Sequence, residues 1–227
     1  MSGAQSTGAW IKICGMTTPE AVDAALAARV DAIGFVFSPS PRQLAPTAAI
    51  RLAAPARGRA LCVAVTRHPD QVLLDEIATG FKPDLWQSDW EDMAALRVPQ
   101  SLAVLPVLRS GAGAGGADAG RPSLPLQTLP GRLLFEGPVS GSGRACDWSS
   151  ARELARRTEL ILAGGLDPES VAEAVAAVEP FGVDVSSGVE ARPGIKSAEK
   201  IMRFAAAARA AFSARRGAPV CEQETYK

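Results

Sequence analysis

This chain of 227 residues alternates short apolar runs with segments of helical spacing, a pattern that leaves few folds open to it. The units average about 25 residues, close to what a strand and a crossover helix need. An evenly alternating pattern of eight parallel units closes most economically as a single-domain (β/α)8 TIM barrel, with a doubly wound open sheet as the alternative. The predicted strands are 10–14, 31–37, 60–66, 83–87, 101–108, 131–136, 159–163 and 181–186, and the predicted helices are 18–29, 47–54, 69–79, 91–97, 148–157, 167–178 and 197–213.

One domain accounts for residues 10–214, because the eight units leave no room for a second. We expect residues 1–9 to form a disordered extension and residues 215–227 a flexible tail. The segment 110–130 is rich in Gly, Ala and Pro and has no convincing amphipathic helix. We therefore expect a mobile loop in the fifth connection.

Charge balance and the lengths of the apolar segments argue against two classes of partner, nucleic acids and membranes. Lys plus Arg number 24 and Asp plus Glu number 24, so no broad basic field is available to hold a phosphate backbone. No segment reaches the roughly 18 apolar residues that span a bilayer, and the first ten residues do not resemble an export signal. We expect a cytoplasmic protein that acts on a small molecule, with neither nucleic acid nor a membrane as partner.

Cysteine and histidine usage narrows the possible chemistry. The four cysteines are far apart and form no CxxC pair, which disfavours a disulfide framework and a zinc knuckle; they are Cys14, Cys62, Cys146 and Cys221. The single histidine, His68, removes every mechanism that needs two imidazoles. Its neighbours, Thr66 to Asp70, favour a role in a turn or at a helix start.

Two loops at consecutive strand ends have the composition of a phosphate site. In parallel α/β folds, ligands bind where strands end, and a barrel phosphate is typically held after strands seven and eight. Gly164-Gly165 follows the seventh predicted strand and Ser186-Ser187-Gly188 follows the eighth. Either loop alone could simply be a tight turn, but the pair favours a phosphate cradle.

Three further strand-end residues could act on such a substrate. Cys14 precedes a glycine and a capped helix start, where amide dipoles favour a thiolate, although a cysteine there is often only a core residue. Arg42 lies in a stiff proline-rich loop that would suit a substrate carboxylate, or it is a solvated surface arginine. Glu136 ends an apolar strand, where its pKa is expected to rise and suit a general acid, with a helix cap or salt bridge as the alternative.

Four motifs together resemble one enzyme family. They are Lys12-Ile13-Cys14-Gly15-Met16-Thr17, Gly34-Phe35-Val36-Phe37 leading to Ser40-Pro41-Arg42, Leu162-Ala163-Gly164-Gly165-Leu166, and Gly182-Val183-Asp184-Val185-Ser186-Ser187-Gly188-Val189-Glu190 with Pro193-Gly194-Ile195-Lys196. In this order and spacing they resemble phosphoribosylanthranilate isomerase of tryptophan biosynthesis. The resemblance covers nearly the whole chain from Trp10 to the last helix.

The resemblance implies a (β/α)8 barrel that performs an Amadori rearrangement without metal or organic cofactor. The substrate would be N-(5-phosphoribosyl)anthranilate and the product 1-(2-carboxyphenylamino)-1-deoxyribulose 5-phosphate. By motif, Cys14 corresponds to the general base and Arg42 to the binder of the anthranilate carboxylate. Asp184 would lie near the sugar hydroxyls, and the phosphate cradle would comprise Gly164, Gly165, Ser187 and Gly188.

The chain departs from the family pattern at two strand ends. Where the family usually has Gln-Leu-His-Gly after its fourth strand, this chain has Gln87-Ser88-Asp89-Trp90. The family's acid is an aspartate after the sixth strand, and the matching residue here is Glu136. Asp147 is the nearest substitute acid, although its position also suits a helix cap. The alternatives are another sugar-phosphate barrel enzyme, or a phosphate-binding relative that has lost turnover.

Overall fold

Eight parallel strands close on themselves in the computed structural model, which describes residues 9–110, 129–137 and 147–217. Each strand pairs with the next, and the eighth pairs with the first, with Lys12 opposite Asp184. The strands are β1 (Trp10–Cys14), β2 (Ala32–Val36), β3 (Leu61–Val65), β4 (Leu85–Asp89), β5 (Val104–Arg109), β6 (Arg132–Glu136), β7 (Glu159–Leu162) and β8 (Gly182–Val185). The predicted closed barrel is confirmed, and the open sheet is not formed.

Helices follow the strands on the outside of the barrel. They are α1 (Pro19–Ala27), α2 (Pro46–Ala53), α3 (Gln71–Glu76), α4 (Trp90–Ala95), α5 (Trp148–Ala155), α6 (Val171–Val178) and α7 (Ala198–Gly217). Short helical turns cover Ala54–Ala56, Ile77–Phe81 and Ser187–Val189, and a small hairpin of β9 (Glu190–Arg192) and β10 (Ile195–Lys196) precedes α7. Among the described residues, no helix has both the length and the apolar character that crossing a membrane requires.

The ends of some elements differ from the sequence prediction. The last helix continues to Gly217, beyond the predicted end at 213. Residues 1–8, 111–128 and 218–227 lie outside the described residues. They make up most of three expected segments: the extension at 1–9, the mobile loop at 110–130 and the tail at 215–227.

Alternation along each strand separates two cores, because successive side chains point to opposite faces. The outward side chains pack beneath the helices, for example Ile11, Phe35 and Phe135, all wholly buried. The inward apolar side chains form a separate cluster of Trp10, Ala32, Val63, Leu105, Val107, Leu134, Ile161 and Ala163. Apolar side chains therefore fill much of the barrel interior, and the polar and reactive side chains lie toward the C-terminal ends of the strands.

Strands β4 and β5 lie later in the sequence than predicted. Prediction placed the fourth strand at 83–87, whereas the structure has it at Leu85–Asp89. The fifth begins at Val104 and reaches Arg109, one residue beyond its predicted end. As a result, Asp89 and Arg109 are strand residues, and their side chains meet at the mouth of the barrel.

Candidate active site

A cavity of about 190 Å³ opens among the C-terminal ends of the strands. Residues from seven of the eight strands and from the loops that follow them form its wall, including Cys14, Arg42, Gln87, Arg109, Glu136, Asp184 and Ser186. A larger and more open groove of about 550 Å³ lies at the opposite end, where Arg29, Asp31 and Asp84 are among the lining residues. We assign the chemistry to the smaller cavity, because it brings together a thiol, two carboxyl groups and several cations.

Cys14 ends β1 and its thiol is buried in the wall of the cavity. Gly34 on the neighbouring strand makes room for it, since a Cβ at position 34 would lie 2.9 Å from the sulfur. Burial raises the pKa of the Cys14 thiol; Lys12 and Lys196 oppose this shift, and Asp184 adds to it. The sequence predicted the opposite direction from nearby amide dipoles, but loss of solvation outweighs the favourable charges.

Lys12 is a wholly buried lysine beneath Cys14 on the same face of β1. Its Nζ donates to Oδ1 of Asp184 over 2.9 Å. Burial lowers the pKa of Lys12, but the charges of Asp184 and Cys14 raise it by more, so that the net shift is upward. Lys12 was not among the residues predicted from the sequence, although a lysine two residues before the cysteine on the same strand face was an available signal.

Arg42 forms a two-point ion pair with Glu190. Its Nε and Nη2 lie 2.6 and 2.9 Å from the two carboxylate oxygens of Glu190, so Nη1 is outside this pair. Lys196 donates to the same carboxylate over 3.0 Å. Burial raises the pKa of Glu190, but Arg42 and Lys196 lower it by more. Arg42 was predicted from the sequence to lie at the site, but its ion pair with Glu190 through Nε and Nη2 was not predicted.

The loops after β7 and β8 are packed directly against each other. Gly164 and Gly165 both have positive φ, at 90° and 71°, which favours glycine over residues with a side chain. A Cβ at Gly188 would lie 2.0 Å from the carbonyl oxygen of Leu166, so only glycine fits between the loops. Beside them, Ser186 donates from its hydroxyl to the carbonyl of Cys14. The two predicted phosphate loops therefore form one continuous surface next to β1.

Glu136 is joined to Asp89 through Arg109. Nη1 of Arg109 lies 2.5 Å from Oε1 of Glu136, while Nε and Nη2 donate to Oδ1 of Asp89 over 2.9 and 2.6 Å. Burial lowers the pKa of Arg109, but Glu136 and Asp89 raise it by more. Glu136 was predicted from sequence, with a salt bridge among its alternatives, whereas Arg109 was missed.

Gln87 presents an unsatisfied acceptor to the cavity. It is 6% exposed, and within the described part of the chain its Oε1 has no hydrogen-bond partner. An unpaired buried oxygen is costly, so a donor on a bound ligand would be a favourable partner for it.

Asp147 is at the N-terminus of α5 and is not part of the cavity wall. It accepts from the amide of Ser149 over 3.0 Å and from the hydroxyls of Ser149 and Ser150. These hydroxyls lower the pKa of its exposed carboxyl. The geometry is that of a helix cap, the second of the two roles considered for it.

His68 lies in a turn, with a positive φ of 49°. Its Nδ1 lies 3.0 Å from Oδ1 of Asp92, and ligand atoms of His68, Asp92 and Asp89 fall within 4.8 Å of one another. Asp89 is already bound to Arg109, and Asp92 to His68 and Ser88. These existing pairs fit a hydrogen-bonded turn better than a metal centre.

Comparison with known proteins points to a single family. A sequence model described as N-(5'phosphoribosyl)anthranilate (PRA) isomerase matches residues 11–207. The chain is 40% identical over 210 residues to N-(5'-phosphoribosyl)anthranilate isomerase of Bradyrhizobium sp. (strain ORS 278), covering 88% of this chain and 95% of that one. It is 39% identical over 203 residues to the protein of that name from Rhizobium johnstonii, covering 86% and 91%.

Solved structures of similar proteins agree with this result. The crystal structure of phosphoribosyl anthranilate isomerase from Thermotoga maritima superimposes with a TM-score of 0.75 at 28% identity, covering 89% of this chain and 99% of that one. A crystal structure of phosphoribosyl anthranilate isomerase in complex with reduced 1-(o-carboxyphenylamino)-1-deoxyribulose 5-phosphate gives a TM-score of 0.70 at 26% identity, with the same coverage. The likeness therefore extends over the whole barrel.

Proposed function

This chain belongs to the N-(5'-phosphoribosyl)anthranilate isomerase family, and we propose that Cys14 and Glu136 at its barrel mouth carry the isomerisation. The protein is an isomerase of tryptophan biosynthesis. Its reaction converts an aldose derivative into a ketose by moving hydrogen between neighbouring carbons. Acid and base catalysis suffices for such a reaction, and we propose that no metal or organic cofactor takes part.

Glu136 is the proposed general acid. It gives a proton to the furanose ring oxygen as the bond between that oxygen and C1 breaks, which leaves an open-chain Schiff base. In the free protein, Glu136 is ion-paired with Arg109, and burial favours the thiol form of Cys14. The productive form has the proton on the carboxyl and the charge on sulfur.

Cys14 is the proposed general base. Its thiolate removes the proton from C2 of the Schiff base, and the resulting enolamine then tautomerises to the ketone. The ammonium groups of Lys12 and Lys196 lower the pKa of Cys14 and so stabilise the thiolate that this step needs. Both cations are buried, which strengthens their effect on the sulfur.

The remaining groups of the site hold the two ends of the substrate. We propose that the phosphate binds to the loops of Gly164-Gly165 and Ser187-Gly188, where backbone amides can approach it closely. Nη1 of Arg42 is proposed to bind the anthranilate carboxylate. Asp184 would accept a hydrogen bond from a sugar hydroxyl, and Oε1 of Gln87 would accept one from another donor group of the substrate.

We propose the cytoplasm as the compartment of this protein, because its reducing conditions keep thiols free.

One observation carries this proposal: Cys14 and Glu136 line the same cavity, beside two loops that only glycine allows to pack together. The test is the loss of substrate fluorescence when the purified protein meets freshly made phosphoribosylanthranilate. We expect turnover by the parent protein and its near-complete loss in Cys14→Ser. Binding of the reduced product analogue without turnover by the parent protein would instead identify a binding-only relative.

A further inference from the structure

We propose that Arg109, anchored by Asp89, is a positioning residue that sets the reach of Glu136 into the cavity. This inference rests on the proposed role of Glu136 as general acid. Glutamate has one more rotatable bond than aspartate, so an unrestrained carboxyl at position 136 would sample a range of positions. Proton transfer to a ring oxygen requires hydrogen-bond distance, and a displacement of about 1 Å can cost a large part of the rate.

The contacts of Arg109 are those of a rigid bridge. Its guanidinium is planar, and two of its nitrogens, Nε and Nη2, are fixed on one oxygen of Asp89. The third nitrogen, Nη1, is thereby directed to Oε1 of Glu136. The side chains of Asp89, Arg109 and Glu136 are only 5, 11 and 13% exposed, so the bridge is shielded from solvent. A carboxyl held in this way loses little further freedom when substrate binds.

The sheet register explains why the bridge can form. Arg109 is directly opposite Glu136 on the neighbouring strand, and Asp89 is opposite Val107, two residues before Arg109. The three side chains therefore project from three consecutive strands on the same side of the barrel mouth. The arginine lies between two carboxylates, which compensates its buried charge and keeps both carboxylates in place.

A direct role of Arg109 in binding a substrate anion fits the contacts less well. All three guanidinium nitrogens are within ion-pair distance of a carboxylate, so an anion would have to compete with Asp89 or Glu136. In Arg42, by contrast, Nη1 lies outside its two-point pair with Glu190. The two arginines are therefore expected to act differently on kcat and KM.

A double-mutant cycle tests this inference. We expect Arg109→Met to lower kcat by about ten- to a hundredfold while KM and the affinity for the reduced product analogue change by less than about twofold. In a Glu136→Gln background, which has no acid left to position, Arg109→Met should cause almost no further loss in kcat. Independent losses that multiply in the double variant, a large rise in KM, or a gain in kcat would each overturn the proposal.

A second variant tests reach directly. Glu136→Asp keeps a carboxylic acid but withdraws it by one methylene from Nη1 of Arg109, so we expect a loss in kcat similar to that of Arg109→Met. Full activity in Glu136→Asp would contradict the bridge. Arg132→Met is the matched control, because Arg132 also pairs with a glutamate, Glu159, but at the start of β6 and β7. Circular dichroism and thermal melting of each variant show whether it is folded.

The outcomes separate this inference from the proposed function. Inactivity of the parent protein would defeat the proposed function itself. A parent that turns over, a Glu136→Gln variant that does not, and an Arg109→Met variant with parental kcat would leave the function intact and defeat only the role of Arg109.

Discussion

Nζ of Lys12 lies 2.9 Å from Oδ1 of Asp184, and this buried pair flanks the thiol of Cys14 with one charge of each sign. Its two members act on the sulfur in opposite directions. Lys12 lowers the pKa of Cys14, whereas Asp184 raises it. A change at either residue should therefore move the thiol titration, and the two shifts should differ in sign.

The first prediction concerns that titration. Lys12→Met should raise the pKa of Cys14, so that the thiolate forms at higher pH than in the parent. In a plot of kcat against pH, the rise on the acid side should move to higher pH with it. Asp184→Asn should move thiolate formation to lower pH. Thiolate absorbance near 240 nm and the rate of alkylation measure both shifts without the substrate, in a background with Cys62→Ala, Cys146→Ser and Cys221→Ser. Shifts of the same sign would contradict this electrostatic account.

The second prediction concerns the base itself. Cys14→Ser should lower kcat by about a hundredfold or more, because a serine hydroxyl is far less acidic than a thiol. The variant should still bind the reduced product analogue. Cys62→Ala is the matched control, since Cys62 is a buried thiol under the helices, with a pKa raised by burial to about 11. Near-parental turnover in Cys14→Ser would remove the cysteine from the mechanism.

Local sequence was sufficient for the parts of the site that depend on short motifs. Cys14 and Glu136 end predicted strands and Gly188 follows one, and strand ends meet at the barrel mouth whatever the exact boundaries are. Lys12 and Arg109 were not identified, because their importance comes from partners distant in sequence. Asp184 is 172 residues from Lys12, and Arg109 is 20 residues from Asp89.

Strand boundaries account for much of the remaining difference. With β4 predicted to end at Gln87, Asp89 was considered only as part of a changed loop motif. In the structure Asp89 is the last residue of the strand, and its carboxylate accepts a hydrogen bond from Arg109. A change in the assigned ends of a strand leaves the face of each side chain unchanged, because side chains alternate along the chain itself. The fold was therefore predicted correctly, while the charge network was not.

The third prediction concerns Arg42. Arg42→Ala should raise KM by about tenfold or more, because it removes a charge-assisted contact to the substrate carboxylate in both ground and transition states. Arg51→Ala is the control, since Arg51 is an exposed arginine on α2. If only kcat fell, the role of Arg42 would be to organise Glu190 and Lys196 rather than to bind substrate.

The fourth prediction concerns the phosphate loops. Gly188→Ala places a methyl group 2.0 Å from the carbonyl oxygen of Leu166, so the two loops must separate. We expect weaker competitive inhibition by inorganic phosphate and a higher KM. Gly80→Ala serves as the control, because a Cβ at Gly80 meets nothing within 4 Å. Unchanged phosphate inhibition in Gly188→Ala, or no such inhibition of the parent protein, would contradict the cradle.

The fifth prediction separates the two candidate acids. Glu136→Gln keeps the shape of the side chain but removes its transferable proton, so kcat should fall by about a hundredfold or more. Asp147→Asn keeps an oxygen that can accept from the amide of Ser149, so it should retain most of the activity.

Asp147→Ala provides the complementary stability measurement. It removes the cap of α5 and should cost about 1 kcal/mol in the free energy of unfolding, measured by urea denaturation, with little change in kcat. Glu136→Gln should have the opposite profile, with a large loss of kcat that thermal or urea unfolding does not account for. If Asp147→Asn lost turnover and Glu136→Gln kept it, the proton would come from the start of α5, and Arg109 would have no acid to position.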